Sequence, residues 1–335
     1  MSRTLIALGL MAALATPAVA QELNLYSARH YDTDLRLYED FTRETGIRIN
    51  LIEGEGEQLM ERILTEGMNS PADLYVTVDG GRLWQAAEAG IFQPIQSDVL
   101  DARVPENFRD PEGRWYGLSA RARVIFTRTG ERPEWLDDYE DLADPRLRGE
   151  ICIRSSSSIY NISMLAELIE VIGPEAAEAW AAGVVNNMAR SPQGGDRDQL
   201  RALAAGECSV AVSNTYYWGA LAASENPADR AVAEAVSFFY PNQDDRGAHV
   251  NISGAGVAAH APNRENAIRF LEYLVSDEAQ AIYADSNNEF PIVSGVVIHG
   301  PVAPYTEFRN SGVNAAIYGI NASAATEIFD RVGFP

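Results

Sequence analysis

Ser213-Asn214-Thr215-Tyr216-Tyr217-Trp218-Gly219 is the stretch on which the reading of the fold turns. It follows Cys208-Ser209-Val210-Ala211-Val212, an apolar run of the length of a buried strand. Ser213, Asn214 and Thr215 are all good N-cap residues, so a helix is expected to start here. Two consecutive phenols then stand at a strand-to-helix corner, where open α/β sheets bind their ligands. Neighbours on a helix point about 100° apart, so Tyr216 and Tyr217 can reach one ligand from two directions. A Tyr-Tyr pair taken alone is more simply one core and one surface residue, because tyrosine is common at half-buried positions. The rest of the chain changes that balance.

Upstream, strands and helices alternate. Leu23 to Ser27 reads as a first strand, and Asp32 or Thr33 can cap a helix that ends at Gly46. Ile47 to Ile52 alternates as a second strand, a helix carries Leu59, Met60, Ile63 and Leu64, and Ala72 to Thr77 is a third strand before a short helix from Leu83 to Ala89. This order calls for an α/β fold with a mainly parallel sheet covered on both faces. Trp115 to Thr127 is a long apolar strand able to cross between lobes, and Val236 to Pro241 reads as a second crossing strand. Arg121 and Arg123 lie on the same face of the first of these. Two readings stand for them: a solvated pair, or a fixed cation facing a cleft. Ile151 to Ile153 starts another strand, and Ser155 to Ser158 precede an apolar-periodic run that marks a capped helix. Helices are expected at 175–187, 196–205, 263–275, 277–284 and 326–332.

Three strand-to-helix corners thus carry tyrosines: His30-Tyr31 after the first strand, Tyr160 after the serine run, and Tyr216-Tyr217. One such corner is ordinary; three in one chain suggest a shared ligand.

Composition narrows what that ligand is. Met1-Ser2-Arg3, an apolar run from Leu5 to Leu14 and Ala18-Val19-Ala20 have the pattern of a secretory signal peptide, residues 1–20, so export to the periplasm is expected. About 315 residues then remain, enough for two domains. Net charge is -22, and -23 without the leader, whose one charge is Arg3. Such a surface repels nucleic acid and anionic lipid, so neither is expected as a partner, and no later run is long enough to insert in a membrane. All 26 basic residues are arginine. The absence of lysine excludes Schiff-base, P-loop and kinase chemistry. Two cysteines, Cys152 and Cys208, most simply form one disulfide in an oxidising compartment. There is no Gly-x-Ser-x-Gly elbow, and His30, His249, His260 and His299 lack metalloprotease spacing, so an enzyme is not expected.

Phenol oxygens are hard donors. A free phenol has a pKa near 10, so it is ionised at neutral pH only beside a strong positive charge, which a trivalent metal supplies. Four phenolates around Fe³⁺ leave a charge of -1, and one arginine restores neutrality. Calcium and magnesium call for carboxylate loops, and no EF-hand-like loop is present.

The chain resembles the periplasmic ferric-iron-binding proteins of ABC importers, in particular the tyrosine-rich type. The resemblance rests on the run from Tyr26 to Asp34, Pro71-Ala72-Asp73-Leu74, the run from Gly117 to Arg123, Arg154-Ser155-Ser156, Ile159-Tyr160-Asn161 and Asn214-Thr215-Tyr216-Tyr217. It implies a two-lobed type II periplasmic-binding-protein fold, with two mixed sheets flanked by helices and joined by crossing strands. The lobes would be 21–118 with about 241–300, and 119–240 with about 301–335. It implies iron as cargo, Fe³⁺ or Fe²⁺ that later oxidises, held by Tyr31, Tyr160, Tyr216 and Tyr217 with His30 as a fifth candidate and Arg121 as the cation behind them. An inner-membrane ABC permease is the implied partner of a monomeric receptor. Where another branch of the family places a Glu after the Ala-Asp strand, this chain has Val78 and Asp79, which favours an all-tyrosine oxygen set. The alternative is a receptor of the same fold for an organic solute such as thiamine, a phosphonate or a polyamine.

Overall fold

The structure, a computed structural model, describes residues 21–29 and 31–335. The expected leader, 1–20, and the candidate ligand His30 lie outside the described residues.

Strand β1 (Glu22–Ser27) pairs in parallel with β2 (Arg48–Glu53) on one side and β3 (Leu74–Val78) on the other, with helices α1 (Leu35–Thr45) and α2 (Gly56–Glu66) as the crossovers. This is the parallel arrangement that alternating strands and helices imply. Gly46 ends α1 in the left-handed conformation, φ 73°, which other residues adopt only with strain. Asp79 leads β3 into α3 (Gly80–Glu88). The short helix α4 (Asp98–Arg103) is capped by Ser97, whose hydroxyl accepts from Leu100 N–H. Its six residues span too few turns to show a period in the sequence.

Then comes β4 (Tyr116–Arg128), buried along its length up to Arg128. It is followed by β5 (Ile151–Cys152), α5 (Ile159–Ile172), α6 (Pro174–Asn187), α7 (Asp196–Ala205), β6 (Val210–Asn214), α8 (Thr215–Ala222), α9 (Pro227–Ala235) and β7 (Val236–Phe239). The chain continues through β8 (Val250–Val257), α10 (Arg264–Leu274), α11 (Asp277–Asn287) and β9 (Phe290–Pro291), and closes with α12 (Ile317–Ile320) and α13 (Ala322–Val332).

The strands run in the order β2-β1-β3-β8-β4-β6-β5, with β7 and β9 also on β4. Residues 116–122 of β4 pair antiparallel with β8, and residues 123–128 pair with β6 and β7. One strand therefore belongs to two mixed sheets and joins them, and the expected mainly parallel sheet holds only for β1–β3: β8 runs antiparallel to both β3 and β4, and β6 and β7 run antiparallel to β4. The expected second crossing strand is not a crossing: β7 stays beside Ile125–Arg128. The return is made by the irregular segment 240–249. Pro241 has no N–H to extend the ladder, and Asn242 (φ 57°) and Gly247 (φ 92°) turn the chain.

Cys152 and Cys208 are bonded, with Cα atoms 5.9 Å apart, tying β5 to the approach of β6. One apolar core lies around β1, β3, β8 and the first half of β4; another gathers Ile125, Ile151, Leu165, Trp180, Val212 and Phe329. Helix α12 packs against both α3 and α5.

Candidate metal centre

Arg123 is the hub that sets the site. Its side chain is 1% exposed, so its terminal nitrogens need partners within the protein, while Nε has none among the described residues. Nη1 donates to Asp196 Oδ1 at 3.0 Å and to Asn214 Oδ1 at 2.9 Å, and Nη2 donates to Asn161 Oδ1 at 2.6 Å. Those partners sit at the starts of α7, α8 and α5 respectively. One buried guanidinium thus draws three helix N-termini together and carries Tyr160, Tyr216 and Tyr217 with them. The planar fork of arginine suits such multiple recognition.

This changes the expected capping. Helix α8 starts after Asn214 as the sequence implies, but no side chain caps it, because the Asn214 oxygen is committed to Arg123. Helix α5 likewise lacks a serine cap. Its first turn is tied by Asn161 Nδ2, which donates to the carbonyls of Arg154 and Ser155.

The phenols converge. Tyr160 Oη and Tyr216 Oη are 3.1 Å apart and hydrogen-bonded. The Tyr216 and Tyr217 rings lie 4.1 Å apart, and Tyr217 meets Tyr160 edge-on at 6.5 Å. Tyr31 stands over Arg29, whose Cζ is 4.8 Å from its ring centre. Burial raises the Tyr31 phenol to about 12, and Glu289 and Tyr160 add to the rise while Arg29 and Arg121 oppose it. Burial likewise pushes Tyr216 well up, with Tyr160, Tyr31 and Tyr217 contributing. Tyr217 is raised for the same reasons, burial first and then Tyr160 and Asp196. Tyrosines from distant parts of the chain therefore share one electrostatic environment. Two surface cavities of about 530 and 560 Å³ lie elsewhere, and none of the four phenols lines either.

Arg121 is buried beside this cluster, its Cζ 5.9 Å from the ring centres of both Tyr160 and Tyr216. Of the two readings of Arg121 and Arg123, the solvated pair is excluded: each is 1% exposed. Among the described residues Arg121 makes no ion pair; both its terminal nitrogens donate to Ser253 Oγ, at 3.1 Å.

Asp79 is fully buried and is occupied by hydrogen bonds. It accepts from Arg82 N–H, Asn251 Nδ2 and Ser163 Oγ, which leaves it a structural tie between α3 and α5. Among the described residues no three His, Cys, Asp or Glu side chains are grouped to hold a metal.

Sequence reasoning missed Glu289, Ser253, Asp196 and the role of Asn161 and Asn214. Each is a common polar residue whose importance lies in what it touches after folding. A buried Arg on an apolar strand was the one available clue, since such a cation demands partners.

Residues 69–307 match the family described as bacterial extracellular solute-binding protein. Iron uptake protein A1 of Synechocystis sp. is 50% identical over 320 residues, covering 95% of this chain and 89% of the relative. The Fe(3+)-binding periplasmic protein of Serratia marcescens is 26% identical over 341 residues, 99% of this chain and 95% of the relative. Among solved structures, the Trichodesmium protein (IdiA, FutA) in complex with iron and citrate superposes with a TM-score of 0.91 at 52% identity, covering 94% of this chain and 100% of that one.

Proposed function

The chain belongs to the bacterial extracellular solute-binding protein family, and from that premise we propose that it captures ferric iron between two lobes and hands it to an ABC permease of the inner membrane. Tyr31, Tyr160, Tyr216 and Tyr217 supply the oxygens, with His30 as a fifth candidate. The lobes are 21–118 with about 241–300, and 119–240 with about 301–335. The receptor works as a monomer in the periplasm and carries out no reaction on its cargo.

The observation that carries this reading is the 3.1 Å contact between two buried phenols beside the buried Arg121 cation. Raised phenols stay neutral at pH 7, so a metal must displace their protons; a hard trivalent ion does so best. Four phenolates and Fe³⁺ leave one negative charge, beside which Arg121 stands. The names of the relatives, an iron uptake protein and an Fe(3+)-binding protein, support the same cargo. The organic-solute alternative requires space for a ring against the tyrosines, and hydroxyls in mutual contact suit an ion better.

Titration of the purified protein with a ferric salt tests this. A visible phenolate-to-Fe³⁺ band is expected in the wild type, weaker or displaced in Tyr217→Phe. A wild-type protein that stays colourless with saturating ferric salt overturns the reading.

A further inference from the structure

Behind the phenols lies a second set of buried charges that the ligand reading does not use. Glu289 is fully buried just before β9, which pairs with Ser119 and Ala120 of β4. Its Oε2 accepts from Arg29 Nη1 at 3.2 Å, Arg29 Nη2 at 3.1 Å and Ser119 Oγ at 2.7 Å. Among the described residues its Oε1 has no hydrogen-bond partner. Arg29 is also paired with Asp34, Nε to Oδ2 at 2.8 Å, and its Nη1 donates to Ser253 Oγ at 2.6 Å. That same hydroxyl accepts both Arg121 contacts at 3.1 Å. One serine oxygen therefore joins two guanidiniums, one over Tyr31 and one beside Tyr160 and Tyr216.

Two cations sharing one hydroxyl repel each other, and a low-dielectric interior magnifies the repulsion. They stay together because Glu289 and Asp34 balance them. Burial works against the Glu289 carboxylate, yet Arg29 and Arg121 hold it below the usual range, so it remains charged. With neutral phenols the set of Arg29, Arg121, Asp34 and Glu289 carries no net charge. A single neutralised carboxyl leaves it positive next to the metal position, and the cost of a positive field is greater for Fe³⁺ than for Fe²⁺.

We propose that Glu289 is a positioning residue for the cargo, holding Arg29 and, through Ser253, Arg121 behind the phenols, and that its charge favours ferric over ferrous iron. The inference rests on the iron reading above and deepens it. Among the described residues Glu289 hydrogen-bonds to Arg29 and Ser119 and to none of the four tyrosines, so it acts through the two arginines and the field they share.

The test uses the full mature protein loaded with iron, comparing wild type, Glu289→Gln and Ser253→Ala. Two readouts are taken, the position of the phenolate-to-Fe³⁺ band and the Fe³⁺/Fe²⁺ midpoint potential. Neither responds to stability alone. Glu289→Gln is expected to raise the potential by at least about 59 mV, which is a tenfold loss in the ferric-to-ferrous affinity ratio for one electron. Ser253→Ala is expected to move the band, because Arg121 loses its tether while every ion pair is kept. A folded Glu289→Gln protein with the wild-type potential overturns the proposal. If that variant does not fold, Ser253→Ala decides, and an unchanged band overturns the proposal. A wild type without any band fails the iron reading itself, whereas unchanged variants beside a coloured wild type fail only the role of Glu289.

Discussion

Tyr160 and Tyr216 touch through their hydroxyls, 3.1 Å apart, inside the protein. Two phenolates at that distance repel strongly in a buried setting, so without metal at least one keeps its proton. Removing either hydroxyl takes away one of the four proposed oxygen donors. Tyr216→Phe is expected to weaken ferric binding by more than the about 10–100-fold typical of losing an outer partner of a metal ligand, measured by competition with citrate. Unchanged affinity would remove Tyr216 from the ligand set. Tyr31 yields a prediction on the apo protein. Its folded value, about 12, lies above the ordinary phenol value of 10.0, so the folded state holds the proton more tightly. The associated stability is intact below pH 10 and lost as pH rises toward 12. Urea midpoints of apo wild type are expected to fall over that window more steeply than those of Tyr31→Phe. At this scale the tyrosines were legible in the sequence, because three strand-to-helix corners carry them. Glu289 and Ser253 were not, because nothing local distinguishes a carboxylate or hydroxyl that will face two arginines from one that will face water.

Among the elements, β4 matters most. It sits in both sheets, and Arg123 at the junction pairs with Asn214 in register while holding the first turns of α5 and α7. Truncating Arg123 leaves Asp196 buried with Arg154 as its remaining ion-pair partner, at 3.1 Å. Arg123→Ala is expected to cost about 3–5 kcal/mol, the range for breaking a buried pair, read from urea unfolding. A loss under 1 kcal/mol would deny it the hub role. The disulfide closes a separation of 56 residues, and the chain-entropy model assigns such a loop about 4 kcal/mol. Reduction, or Cys152→Ala with Cys208→Ala, is expected to lower the unfolding temperature of the apo protein by several degrees. Most strands and helices were legible from apolar period and caps. The return from the second sheet was not, because Val236 to Tyr240 has strand composition whether it crosses or stays, and pairing with Ile125–Arg128 settles it.

At the scale of the molecule, the proposed ligands come from both sides of β4, Tyr31 after β1 and the others from α5 and α8. Metal binding should therefore draw the lobes together. Small-angle scattering is expected to show a smaller radius of gyration with Fe³⁺ than without it, and no such change in a Tyr31→Phe, Tyr216→Phe double variant. Equal radii with and without iron would separate binding from closure. The overall charge of -22 acts at this scale too. It disfavours contact with nucleic acid or anionic lipid, while the cationic groups the site needs are kept inside, where solvent and salt do not screen them.

The sequence alone determined the alternation of strands and helices, through their apolar periods, and the placing of tyrosines at three strand-to-helix corners. Both are local properties, repeated within a few residues and readable without knowing what lies across the fold. Only the tertiary structure decided which polar residues answer the buried arginines. Arg123 finds partners 38, 73 and 91 positions away, and Arg29 finds Glu289 across 260. Charge pairing depends on distance in space, and no window of sequence contains that distance.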